Sequence, residues 1–309
     1  MRRRTFLQQL SALGATATLP MNLRAAPRSY DPKAKHEIKV FEVPFRKTEK
    51  GRQLMARIYQ PVADGKNAGP FPAVLDLHGG GWVRKDRTAN EPMDRAVAAS
   101  GVLVLATDLR LAGEAPYPAS VQDASYAVRW LKSKAAEWNG DASAVGLIGS
   151  SSGGHIAELI AMRPGYPLYN AIPLAGYDDT VAYVATRSPV SDPYARWQQA
   201  EKKHPNLVVA SKTYFSPWDD IHQGSPMEIL QRKEKVVLRP LLIMQGELDD
   251  NILPEVQKKF AEAYRAAGGE VQFEIFKGAV HEWTAKPGPN SDRAADMVKA
   301  FIARNIRMA

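Results

Sequence analysis

The sequence holds no cysteine, which excludes disulfides, thiolate nucleophiles and the usual cysteine-based structural zinc patterns. It also lacks any apolar run of about 18 residues, the length a helix needs to cross a bilayer. No integral membrane segment is therefore expected in the mature chain. Internal repeats and low-complexity linkers are absent too, so the 309 residues are expected to form one domain with length enough for a large core. Acidic residues are missing from residues 1–26, which carry Arg2, Arg3, Arg4 and Arg24 and so account for half of the net charge of +8. Elsewhere Lys and Arg alternate with Asp and Glu. That is the pattern of a solvated surface, and no nucleic-acid partner is expected.

The segment Arg3-Arg4-Thr5-Phe6-Leu7-Gln8 resembles the twin-arginine export signal, in which an arginine pair precedes Phe-Leu and a polar residue. An apolar stretch from Leu10 to Leu19 follows, and then Leu23-Arg24-Ala25-Ala26, whose small residues suit cleavage. Residues 1–26 are read as an export signal, with a basic amphipathic helix as the alternative. The mature protein is then expected to be periplasmic or secreted.

From about residue 37, strand patterns alternate with helix patterns. Glu37–Phe45 and Gln53–Tyr59 alternate apolar and polar residues, as half-exposed antiparallel strands do, with Gly51 in the turn between them. Ala73–Leu77, Val102–Thr107, Ala144–Ile148, Ala171–Leu174, Leu241–Met244 and Val271–Phe276 are short aliphatic runs, the pattern of core strands, and most are apolar enough to be buried on both faces. Helices are expected over Pro92–Ala99, Ser120–Trp138 with Ser120 as its cap, Gly153–Met162, Glu255–Ala267 and Asp292–Asn305. This alternation predicts an α/β protein, a mostly parallel sheet with helices on both faces, over residues 37–309. Residues 176–238 break the rhythm with prolines and aromatics, and are expected to form a lid-like insertion.

Gly149-Ser150-Ser151-Ser152-Gly153 fits Gly-x-Ser-x-Gly between a predicted strand and a predicted helix. A sharp turn there forces the central serine into a strained conformation that exposes its hydroxyl. The flanking glycines set the register, so Ser151 is the candidate nucleophile. Upstream, His78-Gly79-Gly80-Gly81-Trp82 follows the strand Ala73–Leu77. Acyl transfer requires N–H groups aimed at a developing oxyanion, and Gly80, Gly81 and Ser152 are the candidates. The serine also needs a base and an orienting carboxylate, in the chain order Ser, acid, His. Asp249 follows the strand Leu241–Met244, with Asp250 a competitor that spacing leaves open. Of six histidines, His281 alone follows both the last strand and the candidate acid.

With these motifs the chain resembles the α/β-hydrolase esterases and lipases of the hormone-sensitive-lipase type, including bacterial carboxylesterases with the HGGGW loop. The likeness runs from Phe71 to Trp283. It takes in Asp108-Leu109-Arg110-Leu111-Ala112, the helix Pro118–Leu131 with Asp123, and Ser188-Pro189-Val190-Ser191-Asp192-Pro193. The resemblance implies hydrolysis of carboxylic esters, small or polysaccharide-linked, by a serine triad without metal or other cofactor. Three positions depart from the family pattern: Leu109 in place of Tyr, Gly113 in place of Pro and Ser152 in place of Ala. None of them removes a catalytic atom.

Amidases, formamidase-like enzymes and peptidases share this scaffold and stand as the alternative; a non-catalytic binding protein is a further one. Trp82, Trp197, Trp218 and Trp283 are candidates for an aromatic wall facing an aryl or sugar group, with Trp82 and Trp218 the expected substrate contacts. The oligomeric state is not legible.

Overall fold

Aliphatic and β-branched residues dominate the strands of the computed structural model, which describes residues 30–64, 69–285 and 287–306. Eight strands form one sheet: β1 (Ile38–Lys47), β2 (Gln53–Pro61), β3 (Phe71–Leu77), β4 (Leu103–Thr107), β5 (Gly140–Ser150), β6 (Val184–Arg187), β7 (Leu241–Gly246) and β8 (Val271–Phe276). Their spatial order is β1-β2-β4-β3-β5-β6-β7-β8. β1 and β2 pair antiparallel, as do β2 and β4, and every later pairing is parallel. This is the predicted α/β-hydrolase arrangement. The proposed export signal lies outside the described residues.

Nine helices connect the strands among the described residues: α1 (Glu91–Ala98), α2 (Ala119–Lys134), α3 (Ser152–Met162), α4 (Pro193–Lys203), α5 (Pro205–Tyr214), α6 (Asp220–Gln223), α7 (Pro226–Gln231), α8 (Pro254–Ala266) and α9 (Pro289–Asn305). Because side chains alternate along a strand, each buried strand feeds two cores. Leu75, Leu105, Leu147 and Ile243 face α2, α3 and α8 on one side of the sheet. Val74, Val104, Ile148 and Leu242 face α1 and α9 on the other. The buried carboxylate of Asp123 on α2 accepts from Arg46 at 2.9 Å and from Arg110 at 3.0 Å, tying the antiparallel edge and the loop after β4 to this helix. Among the described residues, no helix is long and apolar enough to cross a membrane.

Three expectations need correction. Ala171–Leu174 is not a strand; the sixth strand is Val184–Arg187. Pro173 cannot donate to a ladder, whereas Val-Ala-Thr-Arg pairs on both sides, with β5 and β7. The break in rhythm therefore spans β6, and the inserted helices α4–α7 lie between β6 and β7. Finally, Ser120 does not cap α2. It sits inside the helix, and its hydroxyl pairs with Tyr214 Oη at 2.8 Å.

Candidate active site

The Gly-x-Ser-x-Gly segment makes the sharpest turn near the site. β5 ends at Ser150 and α3 begins at Ser152, so the entire change of direction falls on Ser151, at φ 51° and ψ −117°. A non-glycine residue resists this conformation. Surrounding hydrogen bonds impose it: Ser151 N–H donates to Arg187 O at 2.9 Å, and Ser151 O accepts from His155 N–H at 3.1 Å and Val190 N–H at 3.2 Å. Gly153 is required for space. A Cβ there would lie 2.0 Å from Leu77 O, so only glycine lets α3 approach the end of β3. The neighbouring serines are otherwise engaged. Ser150 donates to Asn90 Oδ1 at 3.0 Å, and Ser152 is buried in the first turn of α3.

Asp249 follows β7 and His281 follows β8, which brings both to the carboxyl edge of the parallel strands beside Ser151. His281 Nδ1 donates to Asp249 Oδ2 at 2.9 Å, and His281 Nε2 lies 3.0 Å from Ser151 Oγ. With Nδ1–H committed to the carboxylate, Nε2 is the lone-pair atom that faces the hydroxyl, a tautomer assigned from the hydrogen-bond network.

Asp249 is buried, and its oxygens also accept from Ile252 N–H at 2.8 Å, Asn251 N–H at 3.0 Å and Gln245 Nε2 at 3.1 Å. Burial alone would push its carboxyl up. The hydrogen bond and charge of His281, with the backbone N–H of Ile252, outweigh it and hold the group below its ordinary value. Asp250, the competing acid, turns toward His204 at 3.6 Å with an exposed side chain.

Gly80 (φ 106°) and Gly81 (φ 63°) border the same space as Ser151 and His281. At Gly80 a Cβ would meet Arg84 O at 2.1 Å. Among the described residues neither the Gly80 nor the Gly81 N–H has a hydrogen-bond partner. Ser152 N–H, in the first turn of α3, has no intrahelical acceptor, and the helix amino terminus favours negative charge.

The glycine loop is anchored by the residue that follows it. Trp82 Nε1 donates to His155 Nδ1 at 3.2 Å, and His155 Nε2 donates to Gly224 O at 2.6 Å. Trp82 also stacks on Tyr214, with centroids 4.6 Å apart and planes 2° from parallel. Burial pushes the His155 imidazole down to about 4, so it is neutral here.

A cavity of about 360 Å³ opens over Ser151. Gly80, Gly81 and His281 line one part of it, and Arg196 on α4 with Leu207 and Ala210 on α5 line another. The structure thus brings Ser151, Asp249 and His281 together, with Gly80 and Gly81 lining the same cavity and Ser152 next to the nucleophile in the chain.

The expected aromatic wall is not formed. Among the described residues, Trp82, Trp197, Trp218 and Trp283 all lie off the cavity lining. Trp82 is buried between His155 and Tyr214, Trp218 packs edge-on against Trp197 at 4.9 Å, and Trp283 stacks on Phe276 at 4.2 Å. Each ring gains more by packing on another aromatic than by facing water. Two residues escaped the sequence. His155 could have been suspected as the one ionisable ring in a helix with no exposed face. Arg196 left no local signal. Among the described residues no cluster of three or more His, Asp or Glu side chains could hold a metal ion.

A family model described as BD-FAE matches residues 57–264. Carboxylesterase NlhH of Mycobacterium tuberculosis is 39% identical over 109 residues, 35% of this chain and 33% of that protein. Esterase LipC of the same organism is 24% identical over 244 residues, 75% of this chain and 58% of LipC. The chain therefore spans about a third of NlhH and somewhat over half of LipC. An esterase of Thermogutta terrifontis, solved with propionate bound, superposes with a TM-score of 0.68 at 23% identity, covering 87% of this chain and 94% of that one. An esterase of Pyrobaculum calidifontis gives a TM-score of 0.69 at 22% identity, with 87% and 86% covered. These likenesses show a shared fold.

Proposed function

The chain belongs to the BD-FAE family, and on that premise we propose that it hydrolyses carboxylic esters through an acyl-enzyme on Ser151. The observation that carries this reading is the unbroken line of hydrogen bonds from the buried Asp249 through His281 to the Ser151 hydroxyl, 2.9 and then 3.0 Å long. His281 Nε2 takes the hydroxyl proton as Ser151 Oγ attacks the ester carbonyl. The imidazolium so formed is stabilised by the Asp249 carboxylate, which burial keeps away from competing water. The N–H groups of Gly80, Gly81 and Ser152 receive the oxyanion. His281 then returns the proton to the departing alkoxide, and a water molecule, deprotonated by the same Nε2, releases the acid.

The cavity volume of about 360 Å³ suits a small ester. Among the described residues no tryptophan lines it, so stacking on tryptophan supplies no preference for aryl or sugar groups. The names of the relatives, carboxylesterase NlhH and esterase LipC, favour esters over amides.

Matched ester and amide substrates, assayed with the native protein and with Ser151→Ala, test the reading. Esters are expected to turn over much faster than amides, and the variant to lose on the order of 10⁶ in kcat, as other triad knockouts do. Amide turnover equal to ester turnover would overturn the reaction class, and near-native activity of the variant would overturn the mechanism. We also propose export through the twin-arginine signal at Arg3-Arg4. Lysine in place of both arginines should leave the protein in the cytoplasm; unchanged export would refute the assignment.

A further inference from the structure

Among the described residues, Arg196 forms no ion pair. It projects from α4 into the wall of the cavity over Ser151 and is only 3% exposed. Its Nε donates to Asn251 Oδ1 at 2.8 Å. Among the described residues, neither terminal nitrogen has a hydrogen-bond partner, and no carboxylate lies within 4.0 Å of the guanidinium. Nη1 is fully buried in that state. Asp249, whose charge acts on Arg196 from beyond that distance, is already taken by His281, Gln245, Asn251 and Ile252. The face of Trp82, 5.4 Å from Cζ, offers partial compensation. Burial lowers the Arg196 pKa to about 10, which leaves it a cation at neutral pH.

Arg84 lines the cavity as well, and several other charged groups around it have partners. Lys85 pairs with Glu282 at 2.8 Å, His204 faces Asp250 at 3.6 Å, and buried Arg187 donates to Asn90 Oδ1 at 2.7 Å with Asp76 and Asp94 behind it. A desolvated cation without a counter-ion is costly, and this one borders the space where substrate must sit. Since Nε is committed to Asn251, the terminal nitrogens are the donors left for an anion, and a carboxylate is the partner a guanidinium prefers.

We propose that Arg196 is an anion subsite, and that the preferred ester bears a carboxylate of its own, bound by Arg196 while the ester carbonyl lies over Ser151. This rests on the ester-hydrolase reading above. The carboxylate can belong to the acid or to the alcohol half of the ester, and the choice of substrates separates the two.

The test compares kcat/KM for monoethyl glutarate with ethyl pentanoate (charge on the acid half) and for 3-(butanoyloxy)propanoate with propyl butanoate (charge on the alcohol half). One charged ester is expected to exceed its neutral counterpart. In Arg196→Gln that ratio should fall by about 10- to 100-fold, the worth of a charge-assisted hydrogen bond. Equal losses on charged and neutral esters, or no preference in the native enzyme, would overturn the proposal. Binding is measured separately by calorimetry on Ser151→Ala with the same compounds. A charge preference there, abolished by adding Arg196→Gln, supports the subsite even if the native protein cleaves no ester, which would sink the hydrolase reading alone. Absence of that preference in binding overturns the subsite.

Discussion

Lowering the pH from 7 to 5 is expected to cost the fold about 2 kcal/mol through His155 alone. In the unfolded chain its imidazole titrates at the ordinary 6.5, and in the fold burial brings it to about 4. Geometry gives the same sign. Nδ1 must stay unprotonated to accept from Trp82, and a second N–H would point donor against donor. Between these two pKa values the unfolded state binds the proton and the folded state does not. Stability is therefore fully present above about pH 6.5 and is lost as the pH falls toward 4. At about 1.4 kcal/mol per pH unit, the loss is about 2 kcal/mol at pH 5 and approaches about 3 kcal/mol at the acid limit. Glu158 and Asp94, whose carboxyls burial pushes well up, act in the opposite sense, because the fold takes up their protons first. Comparison with His155→Gln, which keeps a neutral donor for Gly224 O, isolates the histidine. Urea unfolding followed by tryptophan fluorescence at both pH values should show the native protein losing about 2 kcal/mol more than the variant. Equal losses, within about 0.5 kcal/mol, would refute the reasoning.

Asp249→Asn should fold normally yet lose about 10⁴ in kcat, because an amide cannot hold His281 in the tautomer that accepts from Ser151; steady-state kinetics on a small ester gives the number. Asp123→Asn removes the buried carboxylate that Arg46 and Arg110 share and leaves them the exposed Glu49, so denaturant unfolding should report a loss of about 3 kcal/mol. Gly153→Ala forces a methyl onto Leu77 O, and is expected to cost about 3 kcal/mol or more. A Gly153→Ala protein with native stability and activity would show that the elbow tolerates a wider approach of α3 to β3.

The strand, elbow and glycine loop were legible because each imposes a local demand that few residues meet. Only glycine fits where α3 meets β3, and burial on both faces of a sheet favours an aliphatic run. The order of Ser151, Asp249 and His281 was legible for a related reason, since loops at the carboxyl ends of successive parallel strands converge. What depends on distant packing left no such trace. The polar Thr186 and Arg187 hid β6, although the strand is buried, because Asn90 arrives from elsewhere to accept from the arginine, with Asp76 and Asp94 nearby. Trp82 follows the glycine loop as a substrate contact would, but Tyr214, 132 positions later in the chain, stacks on it. Arg196 sits in a polar helix whose local sequence suits a solvated surface, and only the closure of α4 over the cavity makes its charge unusual.

Covalent labelling of the nucleophile, in which the serine Oγ displaces fluoride from phosphorus, distinguishes Ser151 from its neighbours. The native protein is treated with a fluorophosphonate, digested, and its serine peptides are sequenced by mass spectrometry. A single adduct on Ser151 is expected, formed at a rate that falls sharply in His281→Ala, with Ser150 and Ser152 unmodified. An adduct on either neighbouring serine, or labelling of Ser151 at an unchanged rate without His281, would contradict the assignment.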